Sequence, residues 1–510
     1  MERERSRWLI VGLVALAQLM VVLDATIVNI ALPSAQRALD FSNGSRQWIV
    51  TAYALAFGSL LPLGGRLGDV FGRKRAFIVG AIGFAAASAL GGAAQSFDWL
   101  LTARALQGAF GALLAPSALA LLSTTFPDTR ERNRAFGIFG AVVGSGAAVG
   151  LLLGGVLTEY LSWRWCLYVN LVLALPVVAG AMALVPSRPP RAGRANLDLP
   201  GAFTAAAGLF MIVFGFDRAE STGWSSAQTI GSLVAGVVLL AVFPLVERRS
   251  TSPLLPLRLL ENRNRTGSYL AVLFAGVGTF GVFLFVTYYL QATLAYSPVK
   301  SGVAFLPLIG SVVATSISVN TLLLAKLGPR PLITSGMIVA AAGLALLTRL
   351  EVGSTYLTIL PSLILIGAGI GLIIPTASNT ATAGVAPSDT GIASALVNVG
   401  QQVGGSLGTA LLNTIAVSAT SAYVSSHGPG AVAQATVHGY TVAFWWSTAI
   451  FLLGAIVCGS LLTRRPGYEI SRPTLSTATT SAWRGNTRST RKACTSASGS
   501  AHASESTKRR

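Results

Sequence analysis

Apolar runs of membrane-crossing length, separated by short polar or basic stretches, recur along nearly the whole chain. About 18 or more such residues suffice to cross a hydrocarbon core as a helix, the form that satisfies all backbone polar groups within one segment. The pattern predicts fourteen spans, near 8–32, 47–67, 76–95, 98–125, 134–158, 163–185, 199–217, 228–246, 267–291, 301–324, 331–349, 356–376, 391–417 and 440–462. With an even count, both termini lie on one side. The loops then sort by charge: the N-terminus, 66–75, 126–134, 186–198, 247–265, 326–330 and the tail hold most of the Arg and Lys. The opposite loops hold little beyond Arg37, Arg46, Arg164, Arg218, Lys300 and Arg349. This asymmetry predicts a multi-pass plasma-membrane protein with cytoplasmic termini.

Composition agrees with an all-α polytopic membrane protein. Hydrophobic residues make up 52% of the chain and charged residues 11%, against about 25% charged in soluble domains. The net charge of +19 follows the loop pattern and the tail, and no basic helical face or nucleic-acid motif accompanies it, so no nucleic-acid partner is expected. Cys166, Cys458 and Cys494 are isolated, as are His427, His438 and His502, and neither a metal site nor a cofactor is expected. The run after Arg3, Arg5 and Arg7 is too long for a signal-peptide core and contains an acid, so it reads as an uncleaved first span.

Two correspondences suggest a duplicated core. Gly146, Gly150 and Gly154 in the fifth span, and Gly400, Gly404 and Gly408 in the thirteenth, each form a stripe at spacing four, where another backbone can approach. Gly72-Arg73-Lys74 precedes Gly80 at the same offset as Gly328-Pro329-Arg330 precedes Gly336. With the seventh and eighth spans as an insertion, these pairs fall at equivalent places in two six-helix halves, a recurring transporter plan. The expected organisation is a first half over 1–190, an inserted helix pair with its linkers over 191–255, a second half over 256–465, and a tail over 466–510. The Ser/Thr/Arg-rich tail should be disordered. Its basic residues either favour anionic lipid or are merely solvated.

One acid, Asp24, sits inside the first span. A charged Asp near the bilayer centre costs about 2.5–3.5 kcal/mol on insertion scales, so a reversible proton site is the leading reading over a capping role. Arg104 in the fourth span either snorkels or points inward as the cationic partner of that carboxylate, favouring its charged form. The stretch Gly65 to Arg75, with Asp69, Gly72 and Arg73, is either a charge cluster favouring one packing of the halves or a solvated turn. Polar residues at positions suited to a central cavity are Gln18, Asn29, Tyr53, Gln107, Tyr288, Gln291 and Asn398, each equally readable as an interhelical hydrogen bond. With Asp24 as the only acid well inside a span, neutral or monocationic lipophilic substrates are expected over dications.

Leu23 to Asn29, Gly65 to Arg75, Arg104 to Gly108, and Tyr289 to Gln291 with Ser301-Gly302 and Leu306-Pro307 together resemble the motifs of the major facilitator superfamily. The similarity is to its fourteen-helix drug:proton antiporter branch, in order, over roughly residues 8–462. The resemblance implies two six-helix halves plus two inserted central helices, and proton-coupled efflux of lipophilic drugs by a monomer. It implies proton coupling through Asp24 and Arg104, and a gating role for the Gly65–Arg75 stretch. One departure stands out. Where the branch's fifth-helix motif carries Gly-Pro-x-x-Gly-Gly, this chain has Gly150-Leu151-Leu152-Leu153-Gly154-Gly155.

Other classes fit less well. No Gly-x-x-x-x-Gly-Lys-Ser/Thr loop supports ATP hydrolysis, and no nucleophile or metal constellation supports a membrane enzyme. The remaining alternatives are a dedicated exporter of one metabolite or self-made antibiotic, and a transport-dead sensor or scaffold acting through its tail.

Overall fold

The computed structural model describes residues 2–126, 129–186, 198–250, 253–319, 323–385 and 389–463, and every regular element among them is helical. The expected tail lies outside the described residues. The first six helices are α1 (Glu2–Leu39), α2 (Arg46–Phe71), α3 (Arg73–Gly92), α4 (Phe97–Thr125), α5 (Thr129–Tyr160) and α6 (Trp165–Leu184). Two more, α7 (Leu199–Thr222) and α8 (Ala227–Arg249), form a hairpin. The remainder are α9 (Arg263–Tyr288), α10 (Pro298–Ala304), α11 (Leu306–Ser318), α12 (Leu324–Leu327), α13 (Pro329–Leu347), α14 (Tyr356–Thr382), α15 (Thr390–His427) and α16 (Val432–Leu461). Among the described residues, thirteen helical segments are long and apolar enough to cross a membrane, and α5 adds the apolar stretch Ser145–Tyr160.

Two expected boundaries move. The charged stretch 66–75 is not a loop: α2 runs to Phe71, α3 starts at Arg73, and Gly72 alone makes the turn at φ 92°. Glycine adopts that left-handed conformation without a Cβ penalty. Gly328 makes the corresponding turn before α13 at φ 76°. The tenth span is a broken pass, α10 and α11 meeting at Phe305 and α12 following after residues 320–322, which lie outside the described set. Pro307 has no N–H to donate, and the first turn of α11 is where that matters least.

One bundle forms as α1 packs on α5 and α6, α2 on α4, and α3 on α4 and α6; a second unites α9, α11 and α13–α16. Each bundle has six passes, and the α7–α8 hairpin lies against α15 and α2 through α7. Lipid supplies no hydrophobic driving force between helices, so close packing carries much of the association. The glycine stripes show where. A Cβ on Gly154 would lie 2.9 Å from Ile27 of α1, and one on Gly408 would lie 2.5 Å from Val277 of α9. Gly146 and Gly150 likewise face α1, and Gly400 and Gly404 face α9. The halves meet along α2–α15 and α5–α10, where a Cβ on Gly155 would lie 2.8 Å from Pro298 O and one on Gly302 2.5 Å from Leu151 O.

Candidate functional site: a buried carboxylate–guanidinium cluster

Five helices of the first half converge on Asp24. The carboxylate is fully buried, and Oδ2 accepts from Arg104 Nη1 at 2.5 Å. Oδ1 accepts from Gln107 Nε2 at 2.5 Å and from Asn170 Nδ2 at 3.0 Å. Arg104 is only 1% exposed, so it faces inward and does not snorkel. Two further bonds hold it: Nε donates to Ile49 O at 3.1 Å and Nη1 also to Gln107 Oε1 at 2.6 Å. The Tyr53 ring lies 4.4 Å from the guanidinium carbon, and its hydroxyl donates to Val21 O at 3.4 Å.

Local geometry explains the convergence. Arg104 and Gln107 are three residues apart on α4, so both point from one helix face toward α1. Ser96 caps α4 by accepting from Trp99 N–H, which fixes where that face begins. Behind the acid, Ser88 of α3 accepts from Gln107 at 2.6 Å and from Asn170 at 2.8 Å. Sequence reasoning missed Ser88 and Asn170. Asn170 carries a readable signal, as the only amide within the apolar α6; Ser88 lies among alanines and carries none.

A buried ion pair of this kind repays its desolvation only with good geometry and further hydrogen bonds, which here come from Gln107 and Asn170 to the carboxylate and from the guanidinium to Ile49 O and Gln107. Chemically the cluster can hold or release one proton. Ionised Asp24 is matched by Arg104 and two amide donors, whereas the protonated acid leaves the guanidinium without its counter-charge. Removing one partner of such a pair costs about 3–5 kcal/mol if nothing rearranges, enough to drive a change of packing.

The other expected positions divide. Gln107 and Tyr53 belong to the cluster. Asn29 is 5% exposed and its amide donates to Ala25 O in its own helix at 2.9 Å. Tyr288 and Gln291 sit where the halves touch, on the face opposite the N-terminus: Tyr288 OH donates to Gln36 Oε1 at 2.5 Å, and Gln291 Nε2 to Ile30 O at 3.0 Å. Arg46 reinforces this layer, donating from Nε to Asn413 Oδ1 at 3.0 Å while its guanidinium lies 4.2 Å from the Tyr288 ring centre. Gln18 is half-buried with Oε1 unpartnered, and Asn398 is exposed. On the N-terminal face, Arg73 Nη1 donates to Ala120 O of α4 at 3.2 Å. A Cβ on Gly65 would lie in ordinary contact with Pro116, at 3.7 Å, and the side chain of Asp69 lies outside the described residues. Leu151 is fully buried within an α5 that continues through it, so this helix has no proline break at the motif position.

Comparison with known proteins agrees with this architecture. A family model described as Major Facilitator Superfamily matches residues 14–409. Puromycin resistance protein pur8 of Streptomyces alboniger is 54% identical over 466 residues, covering 90% of this chain and 92% of that protein. Cephamycin export protein CmcT of Amycolatopsis lactamdurans is 40% identical, covering 81% of this chain and 86% of that protein. Among solved structures, an auto-inhibited POT-family peptide transporter superposes with a TM-score of 0.67 at 17% identity, over 91% of this chain and 98% of that one. The last supports the fold alone, while the family match covers most of the chain. The chain belongs to the Major Facilitator Superfamily, and it is a multi-pass membrane transporter.

Proposed function

We propose that this protein exports a lipophilic antibiotic or related small molecule in exchange for protons, by alternating access. The observation that carries the reading is the fully buried Asp24, ion-paired to Arg104 and reachable only through a change of packing. A ligand shifts a conformational equilibrium only through differential affinity. A proton on Asp24 provides that difference, because it removes the charge that holds Arg104 in place. The basic loops support a cytoplasmic N-terminal face. The layer of Gln36, Arg46, Tyr288, Gln291 and Asn413 then closes the external side in this conformation. The expected halves, 1–190 and 256–465, would rock about this contact with 191–255 between them.

The relatives' names support the substrate class, one being a resistance protein and one an export protein for particular antibiotics. Because each name concerns a single antibiotic, a dedicated exporter is the second reading. Expression in a pump-deficient host, with drug accumulation measured over a panel that includes puromycin and cephamycin, tests both. Lowered accumulation of many compounds supports broad efflux, and of one compound the dedicated reading. Unchanged accumulation throughout contradicts export of this class. Removal of 466–510 should leave export intact, which a scaffold acting through its tail would not survive.

A further inference from the structure

A second buried carboxyl pair lies away from the central cluster, where the α7–α8 hairpin closes on the N-terminal face. Asp198 is 5% exposed and Glu247 3% exposed. One oxygen of each is engaged: Asp198 Oδ1 accepts from Gly201 N–H at 2.8 Å, and Glu247 Oε2 from Leu255 N–H at 2.9 Å. The other two, Asp198 Oδ2 and Glu247 Oε1, are buried and have no partner among the described residues. Both aim at one spot. A Cβ on Gly201 would lie 2.5 Å from Glu247 Oε1 and 2.8 Å from Asp198 Oδ2.

Two ionised carboxylates cannot share such a spot without a cation or a donor between them. Among the described residues, the cations that neighbour it are otherwise directed. Arg248 and Arg249 follow on α8 and are exposed, Arg258 pairs with Asp389 at 3.0 Å, and Arg66 of α2 donates to Pro253 O at 3.0 Å. We propose that Asp198 and Glu247 form a second protonation site, a carboxyl–carboxylate pair holding one proton between Glu247 Oε1 and Asp198 Oδ2. The proton belongs to Glu247. Asp198 caps the N-terminus of α7, where the helix dipole favours an anion, whereas Glu247 sits in the last turn of α8, where the dipole disfavours one.

The site joins three segments. Asp198 starts α7, Glu247 ends α8, and the Leu255 N–H belongs to the linker that leads into α9 and is also held by Arg66 at Pro253. With the proton present, the hairpin mouth and the linker form one clasp. Without it, two negative charges face each other and the linker contact is set against their repulsion. The pair thus gives the inserted helices a proton-sensitive attachment to the second half, independent of Asp24.

The test uses the full chain in lipid nanodiscs, with Asp24→Asn as the parent so that the central acid does not contribute. Infrared spectroscopy at neutral pH should show the C=O band of a protonated carboxyl, lost in Glu247→Gln and in Asp198→Asn. The melting temperature of the parent should fall as pH rises, because the pair's proton stabilises the fold and is lost at high pH. In Glu247→Gln the amide keeps the donor without titrating, so that dependence should flatten. No carboxyl band in the parent, or a band unchanged by both substitutions, overturns the proposal. Failure of both neutral variants to fold would also contradict it, since each amide preserves the donor–acceptor pairing. None of these readouts depends on export, so their failure leaves the transport reading untouched.

Discussion

Replacing Asn170 with Leu should move the pH dependence of export without abolishing it. The amide donates to Asp24 Oδ1 at 3.0 Å and to Ser88 Oγ at 2.8 Å, and only the first bond discriminates between charged and neutral acid. A hydrogen bond to a charged group is worth about 1.5–3 kcal/mol. At about 1.36 kcal/mol per pH unit, its loss corresponds to a displacement of about 1–2 units. The direction follows from the donor. Asn170 donates to the carboxylate, so its loss disfavours the charged form and the export profile moves to the alkaline side. Leu keeps the branching and heavy-atom count of Asn at somewhat greater bulk, and Asn170 Oδ1 is unpartnered, so the change deletes no acceptor's partner beyond the two named. Ser88 retains the Gln107 bond in this variant. Substrate-driven proton release from inverted vesicles, measured across pH, provides the assay. Ser88→Ala, which touches Asp24 only through Asn170 and Gln107, should shift the profile less. An unmoved profile, or one displaced to the acid side, would refute the assignment of Asn170 as a donor to the ionised form.

Gly302→Val should abolish export while the protein still inserts, because the added carbons would meet the α5 backbone at Leu151 where the halves touch; normal export in a stably expressed variant would contradict this close contact. Arg46→Ala removes both the Asn413 bond and the aromatic stacking. In a background lacking the three native cysteines, it should raise external maleimide labelling of a cysteine placed at Thr409, which is 1% exposed. Unchanged labelling would mean that Arg46 does not hold the external closure. Between a monocationic compound and its dicationic analogue, only the former should be exported efficiently, since Asp24 already pairs with Arg104; equal rates would overturn that reasoning.

The helical passes were legible because lipid makes apolar length a direct physical requirement. Asp24 was legible for the same reason, as an expensive residue in an apolar run. That Arg104 turns inward was not, since a cation seven residues into a span can equally reach the interface. Packing decided it, by placing α1 and the Tyr53 ring beside it. The glycine stripes on α5 and α15 announced close packing but not the partner, which the structure gives as α1 and α9. The turn at 66–75 was drawn too long because glycines and charges read as loop, although membrane helices accommodate both near their ends. Ser88 left no trace at all: a serine among alanines acquires meaning only when Gln107 and Asn170 arrive from other helices. Asp198 and Glu247 lie 49 positions apart in the chain, and only closure of the α7–α8 hairpin makes them a pair.

The central claim is that Asp24 carries the coupling proton. Proton release from acid-loaded inverted vesicles, on addition of an exported compound, tests it most directly with wild type beside Asp24→Asn. Release from the wild type that vanishes in the variant, while the variant still binds the compound, is the predicted result. Release that persists at wild-type level in Asp24→Asn would place the coupling elsewhere and contradict the account.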